Sequence, residues 1–254
     1  MNVLVVGAAV SGRAALRLLE SQGDRVAVYD LDPAALRGLE QGRRVHGGEW
    51  DPGLLAGVDL VIASPGVPEQ APPLASARQA GLPVWGELEL AARHLTVPLL
   101  AVTATNGKTT ITQMAVAMLQ ASGRRAAAVG NIGVPLTDAV GGDYEVLVVE
   151  ASSFQLRFTE TFHPRAAVLL NVAPDHLDWH GDFDSYLKAK ARIHRNQGPE
   201  DLLIFDADDP GARRAVAGAR SRLLPVSGSR RPPGGGGPSG GMLWLGEPAV
   251  DLPA

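Results

Sequence analysis

Twice in this chain a short apolar run leads through a glycine-containing loop into a segment of helical spacing. This repeated start limits the fold more than any other feature. The first is residues 3–6 followed by Gly7-Ala8-Ala9-Val10-Ser11-Gly12. The second is residues 99–102 followed by Thr103-Ala104-Thr105-Asn106-Gly107-Lys108-Thr109-Thr110. Apolar runs of this length, bounded by turn residues, suit strands buried on both faces. Residues 25–29 and 58–63 continue the first series as strands, with helices expected over 12–22, 33–40 and 73–80. A helix over 87–94 closes that series. After the second loop the spacing predicts a helix over about 109–122 and strands over 126–129, 146–149, 166–170 and 202–205. Strands alternating with helices imply doubly wound parallel sheets, hence an α/β chain.

Composition bears on partners more than on fold. With 45% hydrophobic and 20% charged residues over 254 positions, the chain can bury a sizeable core. A formal net charge of −4 without a long basic run argues against nucleic acid or an anionic membrane as the main partner. The Arg-Arg pairs at 43–44, 213–214 and 230–231 read as solvated faces or loops. There is no cysteine, which excludes disulfides, thiolate zinc sites and a cysteine nucleophile. The N-terminus lacks a basic leader and runs straight into a strand, and no run approaches the ~18 apolar residues of a membrane span. The expectation is a cytoplasmic monomer. Residues 231–241 are rich in glycine and proline, so a flexible loop is expected over about 228–241, and residues 242–252 could add a strand pair.

The first glycine loop lies between a strand and a helix, and Asp30 follows at the end of the next strand. Ala9 stands where a dinucleotide fingerprint carries its second glycine, and its methyl group crowds the closest approach of a pyrophosphate. Three readings stay open: a nucleotide-diphosphate site at the helix N-terminus, an NAD site, or a structural turn. Ser64-Pro65-Gly66 follows a further strand at its C-terminal end, where ligands of open α/β sheets collect, although such a run is also an ordinary turn.

The second loop has the parts of a phosphate loop. Gly107 permits a backbone whose N–H groups face phosphates, Lys108 can reach the β/γ-phosphates, and a threonine hydroxyl can ligate Mg²⁺. The strict pattern fails because Val102 occupies its first glycine, so an ordinary turn remains the alternative. Downstream, a buried strand ends in Glu150, a suitable oxygen ligand for Mg²⁺ beside such a loop. His176 follows another strand together with Asp175 and Asp178. By itself it reads more often as a satisfied surface or core residue; beside Asp175 and Asp178 at a strand end, a metal role stands level with that reading.

Thr105-Asn106-Gly107-Lys108-Thr109-Thr110, Gly130-Asn131-Ile132-Gly133, Glu150-Ala151-Ser152-Ser153-Phe154-Gln155-Leu156, Asn171-Val172-Ala173-Pro174-Asp175-His176-Leu177-Asp178 and Tyr186-Leu187-Lys188-Ala189-Lys190 occur in the order found in Mur ligases. The resemblance covers essentially the whole chain. It implies a Rossmann-like UDP-sugar-binding domain over 1–95 and an incomplete P-loop-type central ATPase domain over 96–254. On this resemblance, the usual C-terminal amino-acid-binding domain is expected to be absent from these 254 residues. It also implies ATP-driven peptide synthesis through an acyl phosphate. The Ser152–Gln155 run, Ser64-Pro65-Gly66 and the N-terminal glycine loop favour the member that joins D-glutamate to UDP-N-acetylmuramoyl-L-alanine. By the family pattern, Thr105, Asn106, Gly107, Lys108, Thr109 and Thr110 hold ATP. One Mg²⁺ sits on Thr109 and Glu150, and a second lies near His176. Lys190 matches a lysine that CO₂ converts to a carbamate, an anionic metal ligand, whereas Lys188 faces solvent. Val10, Ser11, Asp30, Ser64, Pro65 and Gly66 are implied for the UDP-sugar, and Asn131, Ser152 and Gln155 for the substrate nearer its reacting end.

Two departures from the pattern stand out. Ala104 replaces a usual glycine, which would strain the loop if that position needs φ > 0. Phe205 replaces an asparagine before Asp208 and Asp209, which read as turn or cap residues. Without the C-terminal domain, the polypeptide alone is expected to be inactive or nearly so, because ligation depends on holding two reactants together. The competing expectations are a folate-polyglutamylating relative and a non-catalytic nucleotide-binding fragment.

Overall fold

The computed structural model describes residues 1–40, 42–239 and 242–244. The chain forms two compact units. One comprises Met1–Leu95, Val134–Gly142 and Arg157–Thr161, the other Thr96–Gly133, Asp143–Leu156 and Phe162–Ala254.

In the first unit five strands, β1 (Asn2–Val6), β2 (Arg25–Asp30), β3 (Arg44–Gly47), β4 (Leu60–Ala63) and β5 (Val84–Gly86), form one sheet in the order β3-β2-β1-β4-β5. All its pairings are parallel. The helices are α1 (Val10–Ser21), α2 (Pro72–Gln79) and α3 (Glu87–Ala92). Val3, Val5, Leu60 and Ile62 project from the central strands onto Ala15, Leu16 and Leu19 of α1, and this apolar layer is the core. The strand order reverses between β1 and β4, so the loops after these two strands flank the switch point where such sheets bind ligands.

The second unit has a six-stranded, wholly parallel sheet: β6 (Leu99–Thr103), β7 (Ala126–Gly130), β8 (Val146–Glu150), β9 (Ala166–Leu169), β10 (Leu202–Asp206) and β11 (Arg222–Val226), in the order β11-β10-β9-β6-β8-β7. Its helices are α4 (Lys108–Ala121), α5 (Ser153–Leu156), α6 (Leu177–His180), α7 (Phe183–Ala191) and α8 (Pro210–Ala215). β6 lies between β8 and β9, so the loops leaving all three emerge side by side at the carboxyl edge. Among the described residues no helix is long and apolar enough to cross a membrane.

The α/β architecture agrees with the sequence expectation, and several elements differ. The helix expected over 33–40 is a single 3-10 turn, Pro33–Leu36, started by the Asp32 side chain accepting from the Ala34 N–H. Gly38, at φ 79°, takes the chain out of helical geometry. β3 and β11 are edge strands and incompletely buried; Pro225 in β11 is tolerated at the edge of the sheet. β5 is only three residues long. In the glycine-rich stretch, the Gly236 N–H donates to Pro225 O at 3.0 Å and the Ser227 N–H to Gly236 O at 3.1 Å. β12 (Gly237–Ser239) then pairs antiparallel with β13 (Met242–Trp244). The remainder of the strand pair expected in 242–252, from residue 245 on, lies outside the described residues, as do residues 240 and 241.

α3 carries two buried acids, each binding one of the later segments that join the first unit. Glu89 accepts from the Thr161 hydroxyl and from the N–H groups of Glu160 and Thr161, and pairs with Arg93. Burial alone would raise its carboxyl, but these bonds and the Arg93 charge outweigh it and hold the group below its ordinary value. Glu87 is 2% exposed. Its Oε1 accepts from the Thr137 N–H at 2.7 Å and the Thr137 hydroxyl at 3.0 Å, while its buried Oε2 has no hydrogen-bond partner among the described residues. Burial pushes this carboxyl up to about 7 from 4.5, against the pull of the Thr137 bonds.

An acid whose folded value exceeds its unfolded one holds its proton more tightly when folded, so stability falls as pH rises through that window. Unfolding free energy should therefore decline between about pH 5 and pH 8, by up to roughly 3 kcal/mol. Glu87→Gln, which keeps the acceptor and removes the charge, should lose that slope. Urea unfolding at several pH values checks this, and identical slopes in the two proteins would contradict it.

Candidate functional site

The second glycine loop leaves β6 at Thr103, whose buried hydroxyl donates to Ala151 O at 2.8 Å and ties β6 to the strand-end turn after β8. Gly107 sits in the left-handed region at φ 89°, and α4 begins at the next residue. No acidic residue occupies the first turn of this fourteen-residue helix, so its free N–H groups present an uncompensated positive end. Lys108 folds back over the loop, with Nζ donating to Ala104 O at 2.9 Å and Thr105 O at 3.1 Å. Lys190 reaches the same Ala104 carbonyl from α7, at 2.6 Å. Ala104 is buried, and the only non-glycine at positive φ among the described residues is His176, at 51°. The strain considered for Ala104 is therefore absent: this backbone position does not use the left-handed region.

Glu150, 1% exposed at the end of β8, lies between two donors. The Thr109 hydroxyl donates to its Oε2 at 2.8 Å and the Asn131 amide to its Oε1 at 2.7 Å. The structure thus brings together Lys108, Thr109, Glu150 and Asn131, with Asn106 and Thr110 exposed on the loop and first helical turn. Lys190 is 1% exposed, whereas Lys188, two residues earlier on α7, is exposed. Burial, followed by the nearby Lys108 charge, pushes the Lys190 amine down to about 7; Asp175 offsets part of this. Its Nζ lies 4.7 Å from the Tyr186 ring centroid, and the Tyr186 hydroxyl is 3.1 Å from Thr105 Oγ1.

His176 is 48% exposed, with Nε2 3.5 Å from Asp175 Oδ2 and its ring 4.9 Å from the Phe154 ring. Asp178 lies in the first turn of α6. Among the described residues no three His, Cys, Asp or Glu side chains form a group able to hold a metal. An ion here would need phosphate, water or a modified side chain to complete its shell.

Ser152 and Gln155 are buried and bonded to each other: the Ser152 N–H and hydroxyl each donate to Gln155 Oε1 at 3.0 Å, and the Gln155 N–H donates to Ser152 Oγ at 3.2 Å. This is a capping box for α5, and the Ser-x-x-Gln spacing was the signal for it. Asp209 likewise caps α8, accepting from the Ala212 N–H at 2.6 Å, while Asp208 accepts from Ser227.

In the first unit, Asp30 accepts from the Ala8 N–H at 2.7 Å and the Asp32 N–H at 2.9 Å, and Ser64 donates to Gly7 O at 2.7 Å. Both side chains shape the first glycine loop from within. Gly12 is required there, because a Cβ would fall 1.9 Å from Gly7 O. Val10 and Ser11 open α1, and Pro65 and the exposed Gly66 follow β4. Two residues with no expected role stand against the second loop, Tyr186 and Asn171.

Residues 102–229 match the Mur ligase middle domain, and residues 1–86 the Mur ligase MurD-like N-terminal domain. The chain belongs to the Mur ligase family. Curated Mur ligases similar to it include the UDP-N-acetylmuramoylalanine--D-glutamate ligases of Frankia casuarinae and Anaeromyxobacter dehalogenans. They are 50% identical over 232 residues and 44% over 260, covering 88% and 96% of this chain but 49% and 56% of their own length. The chain therefore spans about half the length of the curated relatives it matches. Among solved structures, the UDP-N-acetylmuramate:L-alanyl-gamma-D-glutamyl-meso-diaminopimelate ligase from Neisseria meningitides superposes with a TM-score of 0.59 at 17% identity, over 92% of this chain and 82% of that one. The UDP-N-acetylmuramate-alanine ligase MurC of Thermotoga maritima gives 0.52 at 24%, over 91% and 53%. At these identities the likeness shows the shared Mur ligase fold.

The capping box makes a direct prediction. Ser152→Ala and Gln155→Ala should each cost about 1 kcal/mol of stability. The double variant should cost clearly less than their sum, because each removes the other's partner. Urea unfolding of all four proteins checks this; additive losses would contradict it.

Proposed function

We propose that this Mur ligase chain serves the ATP-dependent joining of D-glutamate to UDP-N-acetylmuramoyl-L-alanine, a step of peptidoglycan precursor synthesis in the cytoplasm. The observation that carries the reading is the convergence of Lys108 and Lys190 on one loop carbonyl beside the Thr109–Glu150 pair. The Lys108 ammonium and the helix N-terminus suit an anion there, and the Thr109–Glu150 oxygen pair lies alongside.

In this reading the triphosphate lies against the start of α4, where backbone N–H groups donate to its oxygens. Lys108 exchanges its two carbonyl contacts for phosphate oxygens. A substrate carboxylate oxygen attacks the γ-phosphorus, the bond to ADP breaks, and an acyl phosphate forms. The D-glutamate amine then attacks the acyl carbon, and phosphate leaves as the amide is completed. The first step brings two anions together, so fixed positive charge at the loop lowers its barrier. Thr109 and Glu150 fit Mg²⁺, which takes one or two protein oxygens and fills its remaining positions with phosphate and water. When bound, the ion neutralises charge on the triphosphate. The second ion is assigned to His176 and a carbamate on Lys190. The residue fits that modification because CO₂ adds to a neutral amine, the form favoured by burial and by Lys108.

The UDP-sugar is assigned to the first unit. α1 has no acidic residue in its first turn, and Val10 and Ser11 stand at its N-terminus beside the β1/β4 switch point. Asp30 and Ser64 hold that loop in shape.

Isothermal titration should show heat both with UDP-N-acetylmuramoyl-L-alanine and with Mg·ATP. No heat with the sugar nucleotide while ATP still binds would overturn the first-unit assignment. A phosphate-release assay with both ligands and D-glutamate, omitting each in turn, separates a ligase from a binding fragment. For Lys190, ¹³C NMR in labelled bicarbonate should show a carbamate carbon that grows as pH rises through about 7. Lys190→Arg should abolish it, and an unchanged signal in that variant would contradict the assignment.

A further inference from the structure

The loop between Thr103 and Lys108 has to hold one shape for its helix-start N–H groups to meet phosphate together. Gly107 makes that shape accessible but does not enforce it, since glycine adopts many others as readily. What enforces it lies on the neighbouring strand. The Leu170 N–H donates to Thr103 O at 3.2 Å and the Thr105 N–H to Asn171 O at 2.8 Å, carrying the β6–β9 ladder beyond the strands. The Asn171 side chain then replaces the next stretch of strand. Its Oδ1 accepts from the Asn106 N–H at 2.9 Å, and its Nδ2 donates to Asn106 O at 3.0 Å. The amide orientation follows from chemistry, because a flip would set donor against donor and acceptor against acceptor. Two residues on, the Ala173 N–H donates to Thr105 Oγ1 at 3.0 Å.

We infer that Asn171 is a positioning residue for the nucleotide: its carboxamide splints Asn106 and presets the phosphate loop without itself touching phosphate. Only asparagine suits the place. Serine has a single, shorter-reaching polar atom where asparagine spans the Asn106 N–H and carbonyl with two, and glutamine adds a methylene that moves the amide off the loop. Aspartate keeps the bond to the Asn106 N–H but turns a charged oxygen towards the Asn106 carbonyl. The splint also engages the Asn106 N–H. Phosphate is thereby left to Lys108 and to the N–H groups that follow it in α4.

This inference rests on the reading of the loop as an ATP site, and the experiment separates the two. Amide hydrogen exchange of the full chain without nucleotide reads the loop directly, and titration with Mg·ATP reads its use. In Asn171→Ala, exchange at residues 105–106 should rise while that of β6 stays unchanged. ATP affinity should fall about tenfold, the scale of losing two half-exposed hydrogen bonds. Binding of UDP-N-acetylmuramoyl-L-alanine and the thermal midpoint should stay near wild type, which a merely structural role would not predict. Asn171→Asp should weaken ATP binding at least as much, with part of the loss restored by salt. Unchanged loop exchange in Asn171→Ala overturns the splint. Raised exchange with unaltered ATP affinity overturns its role in nucleotide binding. A wild-type chain that does not bind ATP overturns the phosphate-loop reading, while the exchange result still decides the splint.

Discussion

The carbonyl of Ala104 accepts from two lysines, Lys108 at the start of the following helix and Lys190 on α7, and this shared contact ties the second glycine loop to both helices. Two ammonium groups on one oxygen repel each other, and one carbonyl cannot neutralise both. The pair relieves this by letting Lys190 give up its proton near neutral pH, or by drawing in an anion. Either outcome leaves Lys108 charged and facing the helix N-terminus. The site is therefore poised by repulsion as much as by attraction, which suits a ligand of high negative charge.

The fold makes this contact possible by setting β6 between β8 and β9. Their carboxyl ends emerge together, so a loop from one, a carboxylate from the second and an asparagine from the third meet without long connections. Thr103 ties the first to the turn after the second, and Asn171 ties the third to the loop. Gly107 takes the left-handed turn in that loop, at φ 89°, which glycine adopts without strain, and Ala104 does not use that region. The first unit repeats the same logic at its own switch point, where Asp30 and Ser64 bond to backbone groups of the first loop.

Much of this is legible in the amino-acid sequence, for a physical reason. Strands buried on both faces leave continuous apolar runs, and each of β1, β6 and β8 ends in a loop or an acid with recognisable chemistry. Lys190 was separable from Lys188 because residues two apart on a helix point in different directions. What stayed hidden lacks such a signature. β3, β5 and β11 are short or lie at a sheet edge, and polar residues, glycine or proline within them mask the strand pattern. The roles of Ala104 and Asn171 depend on partners far along the chain, Lys190 and Asn106, which no local pattern reveals.

In the proposed function, Lys108 and the start of α4 form the triphosphate site. ³¹P NMR of Mg·ATP titrated with the chain tests it most directly, because the resonances report each phosphate separately. The β and γ resonances should shift and broaden on adding wild-type protein, and Lys108→Met should leave them at their free positions. Wild-type shifts that persist unchanged in Lys108→Met would contradict it.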